Sequence, residues 1–350
     1  MDEFSGPVGT GDSMSDRFGK QCDRLYVAMV TPYEENGRVD EPALRKLLQY
    51  FMQPRFINAG GGIIINPAAG DTYYLSREEK RRNVEIAAEE CKGKVPVFAG
   101  VSALTPEEGV KVAIDIREAG GDGLFLCPPM GLSDITLSWD ATRYPEVWLD
   151  MARAEVEAVD LPAITHPNAP SAGSFGPGLP LQPTLRMCRE IPNIVGWKMI
   201  YSYESSLAVS LGLRSLQRHV GLLCANARVF HENLATGFFD GSVTGSFNYA
   251  MEPMIDHIVS WKRRDINESC RIWENGLRDL HYYIYSEFTR LHVKYKAATW
   301  LRGLIPLPFM RPPVPKPKQE EVLALRDLLG RAGLVVIPEE EVNRVLKRLR

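Results

Sequence analysis

Lys198 is the residue of this chain best placed to do covalent chemistry. It lies in the stretch NIVGWKMIYSYE (193–204), near the C-terminal end of a short apolar run from Ile194 to Ile200. Such a run reads as a strand buried on both faces, where an amine is out of place. With Ile194, Trp197 and Met199 expected around it, the ammonium is poorly hydrated, and desolvation lowers its pKa. A neutral amine attacks a ketone to form a Schiff base. The plainer reading is a snorkelling lysine, its stem packed and its head in water. Tyr201 and Tyr203 follow; one of them donates a proton if the loop curls back, or both pack the loop edge. Ser246 and Asn248 follow the last strand-like run and either hold a carboxylate at a helix N-terminus or cap that helix. Cys127 and Cys224 also end strand-like runs, where a small buried thiol is the ordinary occupant. The basic run 262–264 reads as a solvated helix end.

The elements that must position Lys198 recur along the chain. Short β-branched runs stand at 25–30, 62–66, 95–100, 123–128, 161–165, 194–198, 220–224 and 241–245. Helical spacing fills most of the gaps. Ser76 with Glu79 and Thr105 with Glu108 form capping-box signatures. Asp40, with Pro42 close behind, opens a third helix. Eight βα units with right-handed crossovers imply a closed (β/α)8 barrel, a TIM barrel, with its chemistry at the C-terminal ends of the strands. A doubly wound open sheet is the alternative, but no GxGxxG follows the first strand. From about Ala250 onward the strand rhythm stops. Helices are expected over 252–263, 266–288, 290–302 and 318–331, with the Pro-rich segment 305–318 extended. The expected organisation is a loose tail (1–22), the barrel (23–250) and a C-terminal helical region (251–350). The stretch 166–183, rich in Gly, Pro and Ser, is long enough to act as a lid over the site.

Composition narrows the function. The 350 residues are 45% hydrophobic and carry a formal net charge of −3. That suffices for a large core and provides no basic field for nucleic acid or an anionic membrane. Six scattered cysteines without a CxxC pair suggest reduced thiols rather than disulfides or zinc. No apolar run is long enough to span a bilayer, and the polar first residues lack a signal-peptide core. A cytoplasmic protein is expected, with no metal required.

Longer motifs carry a resemblance. AMVTPYEENGRVDEPALRKLLQYFM (28–52), PAAGDTYYLSREEKRR (67–82), VPVFAGVSALTPEEGVKVAIDIREAGGDGLFLCPPM (95–130), NIVGWK (193–198), DGSVTGSFNYAMEP (240–253) and MRPP (310–313) resemble the dihydrodipicolinate synthase / N-acetylneuraminate lyase family of class I aldolases. The resemblance runs from about Tyr26 to Leu334. It implies that Lys198 forms an imine with a pyruvate-type 2-oxo acid, that no cofactor beyond this covalent imine is needed, and that the protein is a homotetramer, a dimer of dimers. It implies further that the turn Ala68-Ala69-Gly70 lies at the substrate carboxylate.

The departures are informative. The family usually carries two threonines where this chain has Ala68-Ala69, so their hydroxyl relay is absent; the N–H groups of Ala69 and Gly70 remain as carboxylate donors. The family's acid/base tyrosine is replaced by His166, an imidazole that moves protons near neutral pH or a loop histidine bonded to backbone. Its distal arginine is replaced by Pro170-Ser171, and its tyrosine after strand four by Met130-Gly131. These losses argue against dihydrodipicolinate synthesis itself. The pattern resembles instead the hydratase-aldolase branch, in which Asn168 hydrogen-bonds substrate or water and the partner substrate is an aldehyde. A dehydratase of a sugar-derived 2-oxo acid, and a family member that binds such an acid without turnover, are the alternatives.

Overall fold

The computed structural model describes residue 21 and residues 23–129, 139–168 and 178–349. The expected tail lies almost wholly outside the described residues, as do Met130-Gly131, Pro170-Ser171 and the middle of the expected lid.

Eight strands close a parallel barrel: β1 (Leu25–Ala28), β2 (Gly61–Ile65), β3 (Val97–Val101), β4 (Gly123–Leu126), β5 (Ala163–Thr165), β6 (Ile194–Met199), β7 (Gly221–Cys224) and β8 (Gly241–Thr244). Each pairs with its neighbours in sequence, and β1 pairs with β8. The expected (β/α)8 barrel is the observed fold. Between the strands run α1 (Glu41–Phe51), α2 (Pro54–Asn58), α3 (Arg77–Cys91), α4 (Pro106–Glu118), α5 (Glu146–Glu157), α6 (Leu181–Glu190), α7 (Tyr203–Arg214) and α8 (Phe230–Ala235), and α9 (Phe247–Lys262) follows β8. Their starts follow the expected chemistry. Asp40 accepts from the Ala43 N–H and Thr105 from the Glu108 N–H, while Ser76 and Glu79 make a complete capping box.

Beyond the barrel lie α10 (Ile266–Ile272), α11 (Arg278–Ile284), α12 (Leu291–Leu301), α13 (Gln319–Arg331) and α14 (Glu339–Leu349). The single helix expected over 266–288 is interrupted by a π turn at Trp273–Leu277. Gly276 has φ +100° there, and a Cβ on it would meet the Arg331 backbone at 2.7 Å. A close approach by the end of α13 therefore breaks the helix. The last helix, α14, was not anticipated. Its buried Val342, Val345 and Leu346 follow helical spacing, and its first turn is acidic. Among the described residues, no helix is long and apolar enough to cross a membrane.

One buried carboxylate stands in the core without a partner among the described residues. Glu155 of α5 is fully buried and, among the described residues, neither carboxylate oxygen has a partner. Burial pushes its pKa up to about 8. The folded chain thus keeps this proton over a range where the unfolded chain has lost it. Stability is expected to fall as pH rises from about 4.5 to 8 through this group. Glu155→Gln should remove that slope, gaining roughly 3–5 kcal/mol at pH 8.5 relative to pH 4. Urea unfolding of both proteins at the two pH values measures the difference.

Candidate active site

The barrel interior explains why β6 carries an amine. Tyr26, Ile64, Phe98, Phe125, Cys127, Ile164, Leu223 and Val243 form a packed internal cluster, and every strand but β6 contributes to it. At that level β6 has Gly196. A Cβ there would come within 2.7 Å of a Leu223 methyl and 3.1 Å of Ile164. Two residues on, the same face of β6 presents Lys198 above the apolar layer. Trp197 and Met199 belong to the outer core, between barrel and helices. The expectation that they surround the amine is corrected here: strand alternation turns them away. Phe125 lies under it instead, with Nζ 5.6 Å from the ring centre. Desolvation lowers the Lys198 pKa to about 8, partly offset by the Cys127 thiol. Burial pushes that thiol up to about 12, so Cys127 stays protonated.

Lys198 opens into a cavity of about 300 Å³ at the C-terminal ends of the strands. Pro67, Ala68 and Ala69 wall it on the β2 side, His166 and Asn168 after β5, and Ile200 after β6. Ala225 and Asn226 follow β7, and Val243, Thr244 and Gly245 close the β8 side. The roof comes from the C-terminal helices: Tyr285, Phe288, Leu291, His292 and Tyr295.

His166 stacks on Phe125, with ring centres 5.6 Å apart and planes inclined 22°. It is buried, and among the described residues its Nδ1 has no partner. Burial, then the positive charge of Lys198 and His292, hold its pKa well below the imidazole range. It is neutral at pH 7, with a ring nitrogen available. Asn168 is tied back by its N–H to the His166 carbonyl at 2.8 Å and bridges to Gly178.

The Ala68–Gly70 turn is a 3-10 helix held from behind, with the Thr31 hydroxyl donating to the Gly70 carbonyl at 2.7 Å. Ala68 and Ala69 reach the cavity. Gly70 is not among its lining residues, and its N–H donates to the Pro67 carbonyl at 2.9 Å. Of the two amides expected to face a carboxylate, the Gly70 one is engaged within the turn, while Ala69 lines the cavity.

Three other expected residues lie elsewhere. The Asn248 side chain donates to the Ala28 and Gly245 carbonyls, both at 2.8 Å, and accepts from the Val30 N–H. It clasps β8 to β1, with both side-chain N–H donors used within the fold. Ser246 makes no side-chain cap on α9; it joins Thr244, Tyr249 and Tyr285 in a buried hydroxyl cluster. Tyr201 accepts from the Trp197 indole at 2.8 Å and lines a separate cavity between α7 and α8. The Cys224 thiol accepts from Asn233, also outside the Lys198 cavity.

The roof residues were missed in the sequence. The signal is spacing: Phe288, Leu291, His292 and Tyr295 recur at i, i+3, i+4 and i+7, one helical face carrying a histidine and a tyrosine among apolar residues. His292 is pushed down to about 4, mainly by burial, and is neutral.

Comparison with known proteins is consistent along most of the chain. A model described as the dihydrodipicolinate synthetase family matches residues 21–332. A 4-hydroxy-tetrahydrodipicolinate synthase of Methanopyrus kandleri is 27% identical over 323 residues, 91% of this chain and 98% of that protein. Among solved structures, a dihydrodipicolinate synthase from Aquifex aeolicus superposes with a TM-score of 0.75 at 21% identity, covering 90% of this chain and all of that one. YagE, a prophage protein of E. coli K12 solved in complex with pyruvate, superposes at 0.74 with 18% identity, covering 89% and 99%.

Proposed function

The chain belongs to the dihydrodipicolinate synthetase family of lyases, and on that premise we propose that it is a class I lyase acting on a 2-oxo acid through an imine on Lys198. The observation that carries the reading is the amine itself. Lys198 stands over an apolar layer, at the mouth of the barrel, with its pKa lowered to about 8. At neutral pH an appreciable fraction is the nucleophile. Nζ attacks the keto carbon, water leaves, and the iminium draws electrons from the bond beyond C3 as that bond breaks or forms. The Ala69 N–H holds the carboxylate. His166, or a water held by Asn168, exchanges the proton.

The cavity walls bear on the substrate. Lys198 is the only lysine or arginine among the lining residues. Residues 130–138 and 169–177, outside the described residues, contain no lysine or arginine. Among the described lining residues no second cation matches a second carboxylate, which argues against aspartate semialdehyde and its dicarboxylate product. An uncharged aldehyde, as in hydratase-aldolases, suits walls built from Ala28, Ile200, Val243, Phe288 and Leu291. The complex of YagE with pyruvate supports a pyruvate-type acid as the imine partner. The hydroxyls of Thr244, Tyr285 and Tyr295 favour, as the second reading, dehydration of a hydroxylated 2-oxo acid. Assembly as a homotetramer is part of the proposal, tested by light scattering.

Borohydride reduction in the presence of pyruvate and a panel of larger 2-oxo acids tests the reading. Intact-mass spectrometry is expected to find one reduced adduct on the wild type and none on Lys198→Ala. An unmodified wild type across the panel would refute it. Product analysis with aromatic against polyhydroxylated acids separates the two reactions.

A further inference from the structure

The Ala68-Ala69 turn has no hydroxyl to move protons, yet a set of bonded hydroxyls lies in the cavity wall beside it. Tyr295 OH donates to Tyr285 OH at 2.5 Å, and Tyr285 OH reaches the Ala225 carbonyl at 3.1 Å and the Thr244 hydroxyl at 3.0 Å. All four residues line the cavity that holds Lys198. Thr244 ends β8 and Ala225 directly follows β7, so the phenols are bonded to the strand ends on the β7–β8 side of the cavity. The chain makes room for them: a Cβ on Gly245 would sit 2.3 Å from the Tyr295 ring. Burial raises the Tyr295 pKa well above its ordinary value. A phenol in that state does not store a negative charge, but it passes a proton on while receiving another.

We propose that Tyr285 and Tyr295, brought in by the C-terminal helices, are the proton shuttle for imine formation at Lys198. The inference rests on the Schiff-base reading above. When Nζ bonds to the keto carbon, the carbonyl electron pair moves to oxygen, leaving a positive nitrogen and a negative oxygen. One phenol gives its proton to that oxygen, the other takes one from nitrogen, and the proton crosses between them. Loss of water then repeats the same transfer. The C–O bond breaks, the nitrogen proton goes to the departing oxygen, and a neutral imine and water remain. Each phenol ends as it began, and the imine then takes one proton from solvent to become the iminium. Thr244 and the Ala225 carbonyl are positioning groups that fix the Tyr285 hydroxyl.

The test is the rate of adduct formation with saturating pyruvate and cyanoborohydride, followed by intact mass, for wild type, Tyr285→Phe, Tyr295→Phe and the double variant. Each single variant is expected to slow trapping by about 10²-fold, the low end for general acid–base catalysis. The double variant should be no slower than the worse single one, because the two act as a unit. The pH inflection near 8 should stay in place. Thr244→Val, which removes a hydroxyl bonded to Tyr285 OH, should slow the reaction less but in the same sense. Phenylalanine variants that trap at the wild-type rate would overturn the proposal. So would slowing accompanied by a shift of the inflection toward 10, since the phenols would then only be keeping water off the amine. A wild type that forms no adduct overturns the Schiff-base reading, and this inference with it.

Discussion

Lys198→Arg is expected to abolish adduct formation as completely as Lys198→Ala. Arginine keeps the length, the stem and the positive charge, so it preserves any role that is only electrostatic or structural. It does not lose its proton at accessible pH, and so it has no lone pair to give a carbonyl. The wild type should show the complementary behaviour with pH. Its amine titrates near 8 because the barrel floor under it is apolar. Below pH 8 the trapping rate should fall about tenfold per unit as the ammonium takes over, and above 8 it should level off. His166 and His292 are already neutral well below that range, and Cys127 titrates well above it. One inflection near 8 is therefore expected between pH 6 and 10. A rate from Lys198→Arg above that of the alanine variant, or an inflection near 10.5, would show that the amine is not the desolvated nucleophile.

The part of this site legible in the sequence is the part that strands encode locally. A parallel strand is covered on both faces, so its residues form a short apolar run, and a lysine in such a run stands out without any alignment. All eight runs became strands for the same reason. What the run does not carry is which neighbours lie on which face at the point where the strand leaves the barrel. Trp197 and Met199 looked like the lysine's surroundings, because they are adjacent in sequence. The pleat puts them on the opposite side and brings Phe125 from β4 instead. Tyr201 was misplaced for a related reason: its hydroxyl is taken up by Trp197, behind the strand.

The roof was harder to read, since it depends on long-range packing. His292 and Tyr295 sit about a hundred residues beyond Lys198. Only the docking of α12 over the strand ends makes them part of the cavity. Ser246 and Asn248 also take their roles from partners distant in sequence. Read locally, they are cap residues after a strand. In the fold, one joins a hydroxyl cluster with Tyr285, and the other is consumed by β1 backbone.

Holding that roof to the Ala68–Gly70 turn is the task of one buried ion pair, and breaking it is expected to have a large effect on stability. Lys296 of α12 donates to the Asp71 carboxylate at 2.8 Å, and both side chains are almost wholly buried. Asp71 directly follows the Ala68–Gly70 turn and adopts φ +62° there, a left-handed conformation that only a few side chains tolerate. The Lys296 ammonium lies 4.3 Å from the Tyr33 ring centre, and Arg311 covers the same ring at 4.7 Å. Lys296→Met keeps the apolar stem but leaves a buried carboxylate without its cation. The expected cost is about 3–5 kcal/mol. Asp71→Asn combined with Lys296→Met should recover much of the loss, because no uncompensated charge remains. Because Asp71 follows the turn whose Ala69 amide is proposed to hold the substrate carboxylate, the single variant should also bind pyruvate more weakly, while Lys198 stays competent at saturation. Chemical unfolding of the two variants, together with trapping at increasing pyruvate, separates these effects. A single variant as stable as wild type would show that the pair is dispensable. A double variant no better than the single would assign the loss to packing rather than to the unpaired charge.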